Sequence, residues 1–444
     1  MKTCIATAIV LLCAVLQPVR ADKAVVPIFL TLDYAHAKSP QWQDHGLTPP
    51  GHSPKPIHLT EDSRYSAATG VGYDLLPSPT LSQPSAPFFV SVALPDGNYR
   101  VTITLGSARR AGETTVRAES RRLMFERVTT RKGEYKTVCF TVNKRNTHIT
   151  KEQEVRIKLR ERNKLNWDDK LTLEFNGSTP LCAAIQIEAD TTATTVFLVG
   201  NSTVVDQDEE PWASWGQMIP RFFDPGVAFA NYAESGECAN TFIQAHRLAK
   251  ALSQMKAGDY MFIEFGHNDQ KQRGPGVGAY YSFATSIKTF IDEVRARGGH
   301  PVLLTPTRRR AFVQGRMQNT HADYPEAIRW IAEREHLPVI DLQESTRVLF
   351  EALGEENSKM AYVHYPAGTF PGQDKPLADN THFNPYGAYE IARCVVEGII
   401  QSSLPIAQHL RDDYQPFLPS VPDSPEAFRW ESSPFTDLLK PDGN

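Results

Sequence analysis

Cysteine is scarce in this chain, with six among 444 residues. A disulfide scaffold is therefore excluded as the organising device, and no two cysteines fall in a C-x-x-C or other zinc-like spacing. Long apolar runs are missing beyond the N-terminus, so no later segment offers the roughly 20 apolar residues that a membrane-spanning helix requires. An excess of one charge sign is also missing. Forty-seven Lys and Arg against 51 Asp and Glu leave a net charge of −4, which supplies no global positive field and gives no reason to expect a nucleic-acid partner. No internal repeat or low-complexity tract is present.

What remains is the profile of an exported globular protein. The opening MKTCIATAIVLLCAVLQPVRA places Lys2 before an apolar stretch and ends in Val19-Arg20-Ala21, which reads as a secretory signal over residues 1–21 and predicts a secreted or periplasmic protein. Cys13 suggests a lipoprotein anchor, but Leu12 before it is bulkier than such a cleavage site normally takes. Without the signal, Cys139, Cys182, Cys238 and Cys394 remain; three disulfide pairings and four free thiols all stay open.

The length suits two domains. Over residues 22–190 the signals are those of strands, and an antiparallel β-sandwich is predicted. Tyr99, Val101, Ile103 and Leu105 alternate with polar residues after a Pro95-Asp96-Gly97 turn. Leu171, Leu173 and Phe175 alternate before Asn176-Gly177, and Leu181, Ala183, Ile185 and Ile187 after it, which predicts a hairpin. The charged interval from Lys144 to Lys170 reads as a solvated loop. From residue 195 to 403 the pattern changes to short apolar runs (Val196 to Val199, Val227 to Tyr232, Tyr260 to Phe265, Val302 to Leu304, Leu337 to Ile340) separated by helical spacing. Phe242, Ala245, Leu248, Leu252 and Met255 form one such stripe, Tyr280 to Val294 another. Asn384 and Pro385 start a last helix with Ala388, Ile391, Val395 and Ile399 on one face. This predicts a three-layer α/β domain with a parallel sheet. Residues 404–444 are rich in proline and read as a tail packed on the surface.

The chemistry gathers at the carboxyl ends of those runs, where open α/β sheets place their ligand crevice. Ser202 follows the first run, Gly236 the second and Asn268 the third; Asp379 and His382 fall on a loop before the last helix. A serine hydroxyl needs a base to act as a nucleophile, and His382 has a carboxylate three residues upstream that can orient and charge-stabilise its imidazole. The backbone N–H groups of Ser202 and Gly236 and the side-chain amide of Asn268 then supply an oxyanion hole. Arg308 and Arg309, with Arg310 beside them, lie at the same sheet edge and suit a uronate carboxylate; His364, Tyr365 and Phe370 are candidates to line a sugar cleft.

These blocks, GNST at 200–203, Gly236, GHND at 266–269 and DNTH at 379–382, resemble the SGNH (GDSL-like) hydrolases. The longer stretches GNSTVVDQ, NYAESGE, GHNDQK and DNTHFNPYGA are similar to the rhamnogalacturonan acetylesterases of carbohydrate esterase family twelve, and LTEDSRYSAATGVGYDL and LPDGNYRVTITLG resemble the β-sandwich of two-domain bacterial members. The resemblance implies a flavodoxin-like SGNH domain behind a galactose-binding-like sandwich, a Ser202-His382-Asp379 triad, no metal or organic cofactor, and an acetylated plant cell-wall polysaccharide as substrate, foremost rhamnogalacturonan. One departure is Asn201, where many relatives have Asp. Asn201-Ser202-Thr203 is also a glycosylation sequon, and a glycan there would block the nucleophile, which points to a bacterial source. Alternatives are an acetylxylan or other sugar acetylesterase, a pectin methylesterase, or a carbohydrate-binding protein without activity. Oligomeric state is not set by the sequence.

Overall fold

The computed structural model describes residues 27–32, 56–79, 86–434 and Asp442; the predicted signal segment, with Cys4 and Cys13, lies outside them. Ten strands occupy the first half: β1 (Ile28–Leu32), β2 (Ile57–Leu59), β3 (Val71–Asp74), β4 (Phe88–Ala93), β5 (Gly97–Gly106), β6 (Gly112–Ala118), β7 (Arg122–Thr130), β8 (Tyr135–Lys144), β9 (Lys170–Thr179) and β10 (Cys182–Ala189). They form two five-stranded sheets, ordered β2-β1-β10-β5-β8 and β3-β4-β9-β6-β7. All pairings are antiparallel except β1 with β2, which is parallel. The inward residues of both sheets, among them Leu30, Val101, Ile103, Phe140, Val90, Leu173 and Phe175, share one buried core, the expected product of period-two patterning on facing sheets.

The hairpin predicted at Asn176-Gly177 does not form. Both residues lie inside β9, and β9 and β10 belong to different sheets, so the chain crosses between layers at Pro180-Leu181. Gly177 serves another purpose: at φ +126 its missing Cβ leaves room for the Glu113 carbonyl, 2.4 Å from where that atom would be, beside a register shift in the β6–β9 pairing. A glycine in a strand thus marks a bulge and close backbone approach rather than a turn. The interval 144–170 is likewise not a solvated loop. Lys144, Arg145, Glu161, Asn166 and Trp167 are buried, and Arg247 of the second half pairs with Glu161.

The second half carries β11 (Thr194–Gly200), β12 (Val227–Asn231), β13 (Tyr260–Glu264), β14 (His300–Leu304), a small hairpin of β15 (Phe312–Val313) and β16 (Arg316–Met317), β17 (Val339–Ile340), and a second antiparallel pair, β18 (Tyr362–Tyr365) with β19 (Leu377–Phe383). The main sheet is wholly parallel and ordered β12-β11-β13-β14-β17, the 2-1-3-4-5 order of flavodoxin-like folds. Successive residues of β11 face opposite ways: Val196 and Leu198 enter one core, Phe197 and Val199 another. Helices cover both faces, which is why the strands read as uninterrupted apolar runs. The stripe from Phe242 to Met255 is broken into helices Ala239–Gln244 and Arg247–Gln254 by His246 in the left-handed region at φ +61. The last helix, Pro385–Gln401, is capped as expected, Asn384 Oδ1 accepting the Gly387 N–H at 3.0 Å. Among the described residues, Cys139, Cys182, Cys238 and Cys394 form no disulfide with one another. No helix among the described residues is long and apolar enough to cross a membrane.

Candidate active site

Strand β11 ends at Gly200, and the chain then turns tightly, the N–H groups of Val204 and Val205 both donating to the Asn201 carbonyl at 3.0 Å. Ser202 is carried on this turn, buried, with its carbonyl held by Gln207 Nε2 at 2.7 Å. His382 and Asp379 come from β19 rather than from the expected loop. His382 Nε2 lies 2.9 Å from Ser202 Oγ, and His382 Nδ1 lies 2.8 Å from Asp379 Oδ2. The other carboxylate oxygen of Asp379 accepts the backbone N–H groups of Thr381 at 2.9 Å and His382 at 3.0 Å. Burial alone would raise the Asp379 carboxyl, but the hydrogen bond and charge of His382 and these two backbone donors hold it well below the usual carboxylate range. An ionised Asp379 accepts only, so Nδ1 carries the hydrogen and Nε2 of the neutral ring is left to take a proton from Ser202.

Gly236 and Asn268 occupy the turns after β12 and β13. Gly236 adopts φ +81, a left-handed backbone that favours glycine, and a Cβ built there would stand 3.0 Å from Asp442 Cβ and 3.2 Å from Lys158 Nζ. Among the described residues no acceptor takes the backbone N–H of Ser202 or of Gly236. Asn268 Nδ2 donates to the Glu237 carbonyl at 3.1 Å, and an amide has a second hydrogen to offer.

His267 is buried and reaches Thr307 Oγ1 at 3.1 Å and His321 Nε2 at 3.0 Å; burial, then the neighbouring His321, holds its pKa well below the usual value. It braces the third turn. Arg308 is buried and turned into its own fold, its Nε donating to the Gln343 carbonyl at 3.1 Å. Arg309 donates to the His267 carbonyl at 2.7 Å and to Thr320, while Arg310 Nε donates to Ser358 Oγ. His364 Nε2 lies 2.8 Å from Asn380 Oδ1, and Tyr365 stands edge-on to Phe370 at 5.0 Å. His364, Tyr365 and Phe370 share a cavity of about 440 Å³ with Tyr386, Phe428 and Trp430, and its lining includes neither Ser202 nor His382. The structure therefore brings together Ser202, His382 and Asp379, and Arg310, through its backbone N–H on the Asn380 carbonyl at 2.8 Å, and His364 both meet the residue next to Asp379.

Sequence patterns gave no notice of several supports. Glu264, the last residue of β13, is fully buried and accepts from Trp215 Nε1 at 2.6 Å while lying 2.8 Å from Thr203 Oγ1. Trp212 directs its indole N–H at Asp379 Oδ2, 3.5 Å away. Lys158 and Arg160, from the first half, pair with Glu237 at 3.0 Å and with Glu234 respectively, on either side of Gly236; Asp442 also reaches Arg160 at 3.2 Å. A charged residue at the end of an apolar run carries no signal of burial until its partners are known.

A serine delivered by a parallel strand, bonded to a histidine and through it to an aspartate, on a 2-1-3-4-5 sheet, defines a hydrolase of the α/β class. Residues 198–388 match the GDSL-like lipase/acylhydrolase family. The chain is 41% identical over 218 residues to the rhamnogalacturonan acetylesterase RhgT of Bacillus subtilis (strain 168), covering 48% of this chain and 93% of that protein. It is 29% identical over 218 residues to the probable rhamnogalacturonan acetylesterase YesY of the same organism, covering 48% of this chain and 96% of that one. The solved structure of the protein YxiM from Bacillus subtilis aligns over 85% of this chain and 99% of its own length, at 22% identity and a TM-score of 0.46. The protein belongs to the GDSL-like (SGNH) hydrolases, and it is a carboxylic ester hydrolase.

Proposed function

We propose that the chain is an exported serine esterase that removes acetyl groups from a pectic polysaccharide, foremost rhamnogalacturonan, with Ser202 as nucleophile, His382 as general base and acid, and Asp379 as the group that orients His382. The observation that carries this reading is the continuous hydrogen-bonded chain from Asp379 through His382 to Ser202 Oγ. Ser202 Oγ attacks the acetyl carbonyl carbon as its proton passes to His382 Nε2. The carbonyl oxygen becomes an anion received by the N–H groups of Ser202 and Gly236 and by Asn268, donors each worth on the order of 3 kcal/mol in such sites. The bond from acetyl carbon to sugar oxygen then breaks, and His382 returns its proton to the departing hydroxyl. Water repeats the sequence on the acetyl-enzyme, releasing acetate and restoring Ser202.

The acetyl and rhamnogalacturonan parts of the proposal draw on the names of the two relatives. Export draws on the predicted signal at residues 1–21. We further infer that residues 22–190 and 195–403 are two domains, the first galactose-binding-like, with 404–444 as a tail on their surface.

The test is release of acetate and of methanol from acetylated rhamnogalacturonan, acetylated xylan and methyl-esterified pectin. Acetate from the first at the highest kcat/KM is expected, with loss on the order of 10⁴-fold or more in Ser202→Ala and His382→Ala and an unchanged thermal midpoint. Methanol as the main product, a preference for xylan, or an active Ser202→Ala variant contradicts the respective part.

A further inference from the structure

The half of the chain that carries no nucleophile reaches the loop around Gly236 with two cations. Lys158 Nζ donates to the carbonyl oxygen of Ser235, pairs with Glu237 Oε1 at 3.0 Å, and stands 3.2 Å from the position a Gly236 Cβ would take. Arg160 pairs with Glu234 two residues before that glycine. The carbonyl of Ser235 and the N–H of Gly236 belong to the same peptide, which is trans, since the one cis bond among the described residues is Glu210-Pro211. A trans peptide is planar, so its C=O and N–H point in opposite directions. A donor fixed on the oxygen therefore fixes the direction of the hydrogen. It also polarises the bond, because hydrogen bonds in series through one peptide strengthen each other in a low-dielectric site.

The charges around this peptide make the same point. Glu234 and Glu237 flank Gly236 and are both buried. Burial, then the neighbouring Glu161, pushes the Glu234 carboxyl up to about 8, so the charge beside the forming oxyanion is that of Glu237, which would raise its energy if unpaired and which Lys158 offsets at 3.0 Å; Arg160 holds Glu234 in place. Asn268 grips the far side of the loop through the Glu237 carbonyl, so residues 235–237 are held from both directions.

We propose that Lys158 is a positioning residue for the esterase reaction, its ammonium holding the Ser235–Gly236 peptide so that the Gly236 N–H meets the developing oxyanion. The inference rests on the reading of Gly236 as an oxyanion donor. It gives the 144–170 interval a role in catalysis without contact to substrate.

The experiment uses the full chain and a small chromogenic acetate ester, with phenylboronic acid as a probe of the tetrahedral anion. Lys158→Met is expected to lower kcat by about 10- to 100-fold, less than the outright loss of an oxyanion donor. KM stays within about twofold, and boronate affinity falls by a factor similar to that in kcat. Lys158→Arg, which retains both charge and donor, restores most of both. Lys158→Gln, which keeps a donor without the charge, falls between them and supplies the measurement if Lys158→Met does not fold. A kcat within twofold of the parent, a loss confined to KM, or a loss of kcat with boronate affinity intact overturns the proposal. Ser202→Ala, run alongside, separates the two levels: if that variant still hydrolyses the ester the catalytic reading itself falls, and if it is inactive while the Lys158 variants are unaffected only this inference falls.

Discussion

One hydroxyl shows how the nucleophile turn is held. Thr203 Oγ1 lies 2.8 Å from Glu264 Oε1 and 3.0 Å from Asn201 Oδ1, while Asn201 Oδ1 also receives the Thr203 N–H at 3.2 Å. The hydroxyl has one proton for two acceptors. Donating it to Asn201 satisfies both contacts if Glu264 is a neutral acid that donates to Thr203 in turn. Burial pushes the Glu264 carboxyl up to about 7, which agrees with a retained proton. Glu264→Gln can reproduce both bonds, its amide donating to Thr203 and its oxygen accepting from Trp215, and it is expected to keep most of the kcat; Glu264→Ala, which leaves both partners bare, is expected to lose about 10-fold or more. The folded pKa lies above the unfolded carboxyl value of 4.5, so the native chain keeps a proton that the unfolded chain releases between about pH 4.5 and 7. This group's contribution to stability falls as pH rises through that window and is constant above it. The stability of Glu264→Gln relative to the parent therefore rises from about pH 5 to about pH 8, as read from urea unfolding midpoints; a pH-independent difference contradicts the assignment. Nothing at Glu264 in the sequence announces this role, because an acidic residue closing an apolar run looks like the start of an exposed loop.

At the scale of elements, the strand carrying Asp379 and His382 is fixed by the start of the last helix. Asn384 caps that helix and also donates to the carbonyls of Met360 at 2.7 Å and Tyr362 at 3.1 Å, tying its first turn to β18, the partner of β19. Gly387 permits the contact: a Cβ there would lie 2.0 Å from the Ala361 carbonyl oxygen. Gly387→Ala must push the helix away and is expected to destabilise the fold by about 1–3 kcal/mol and to lower kcat, the former measured by urea unfolding. A stability within about 0.5 kcal/mol of the parent contradicts this account of the packing. Sequence signals served this element well, since Asn384, Pro385 and the apolar stripe are local features. They failed where a local signal had a nonlocal cause. Asn176-Gly177 looks like a hairpin turn, yet its glycine answers to Glu113 on a neighbouring strand. The stripe from Phe242 to Met255 looks continuous, yet His246 breaks it.

Across the whole molecule, the first half supports the nucleophile turn as well as the loop around Gly236. Arg122 pairs with Asp206 at 2.6 Å, Arg121 donates to the carbonyls of Gln207 and Trp212 at 2.6 and 2.7 Å, and Gln217 Nε2 donates back to the Ser120 carbonyl at 2.8 Å. Gln207, so held, grips the Ser202 carbonyl. Arg121 and Arg122 are buried, and breaking such a buried pair by removing one partner typically costs about 3–5 kcal/mol. The parallel sheet and the four blocks that approach its edge were readable from period and punctuation. The cross-half supports were not, because Lys158, Arg121 and Arg122 have the composition of a solvated surface and find their ion-pair partners in the other half, where the two arginines are buried and Lys158 half-buried.

The account stands on Ser202 carrying the acyl group, which it can do only if Asp379 and His382, about 180 positions away in the chain, converge on it. The most direct measurement is to mix the enzyme with an activated acetate ester, quench in acid during the first turnover, and locate the added acetyl group by peptide mass spectrometry. The account predicts acetylation of the Ser202 hydroxyl in the parent enzyme and its loss in His382→Ala. An acetyl group found on another residue, or turnover with no covalent intermediate at Ser202 under conditions where acylation outruns hydrolysis, would contradict it.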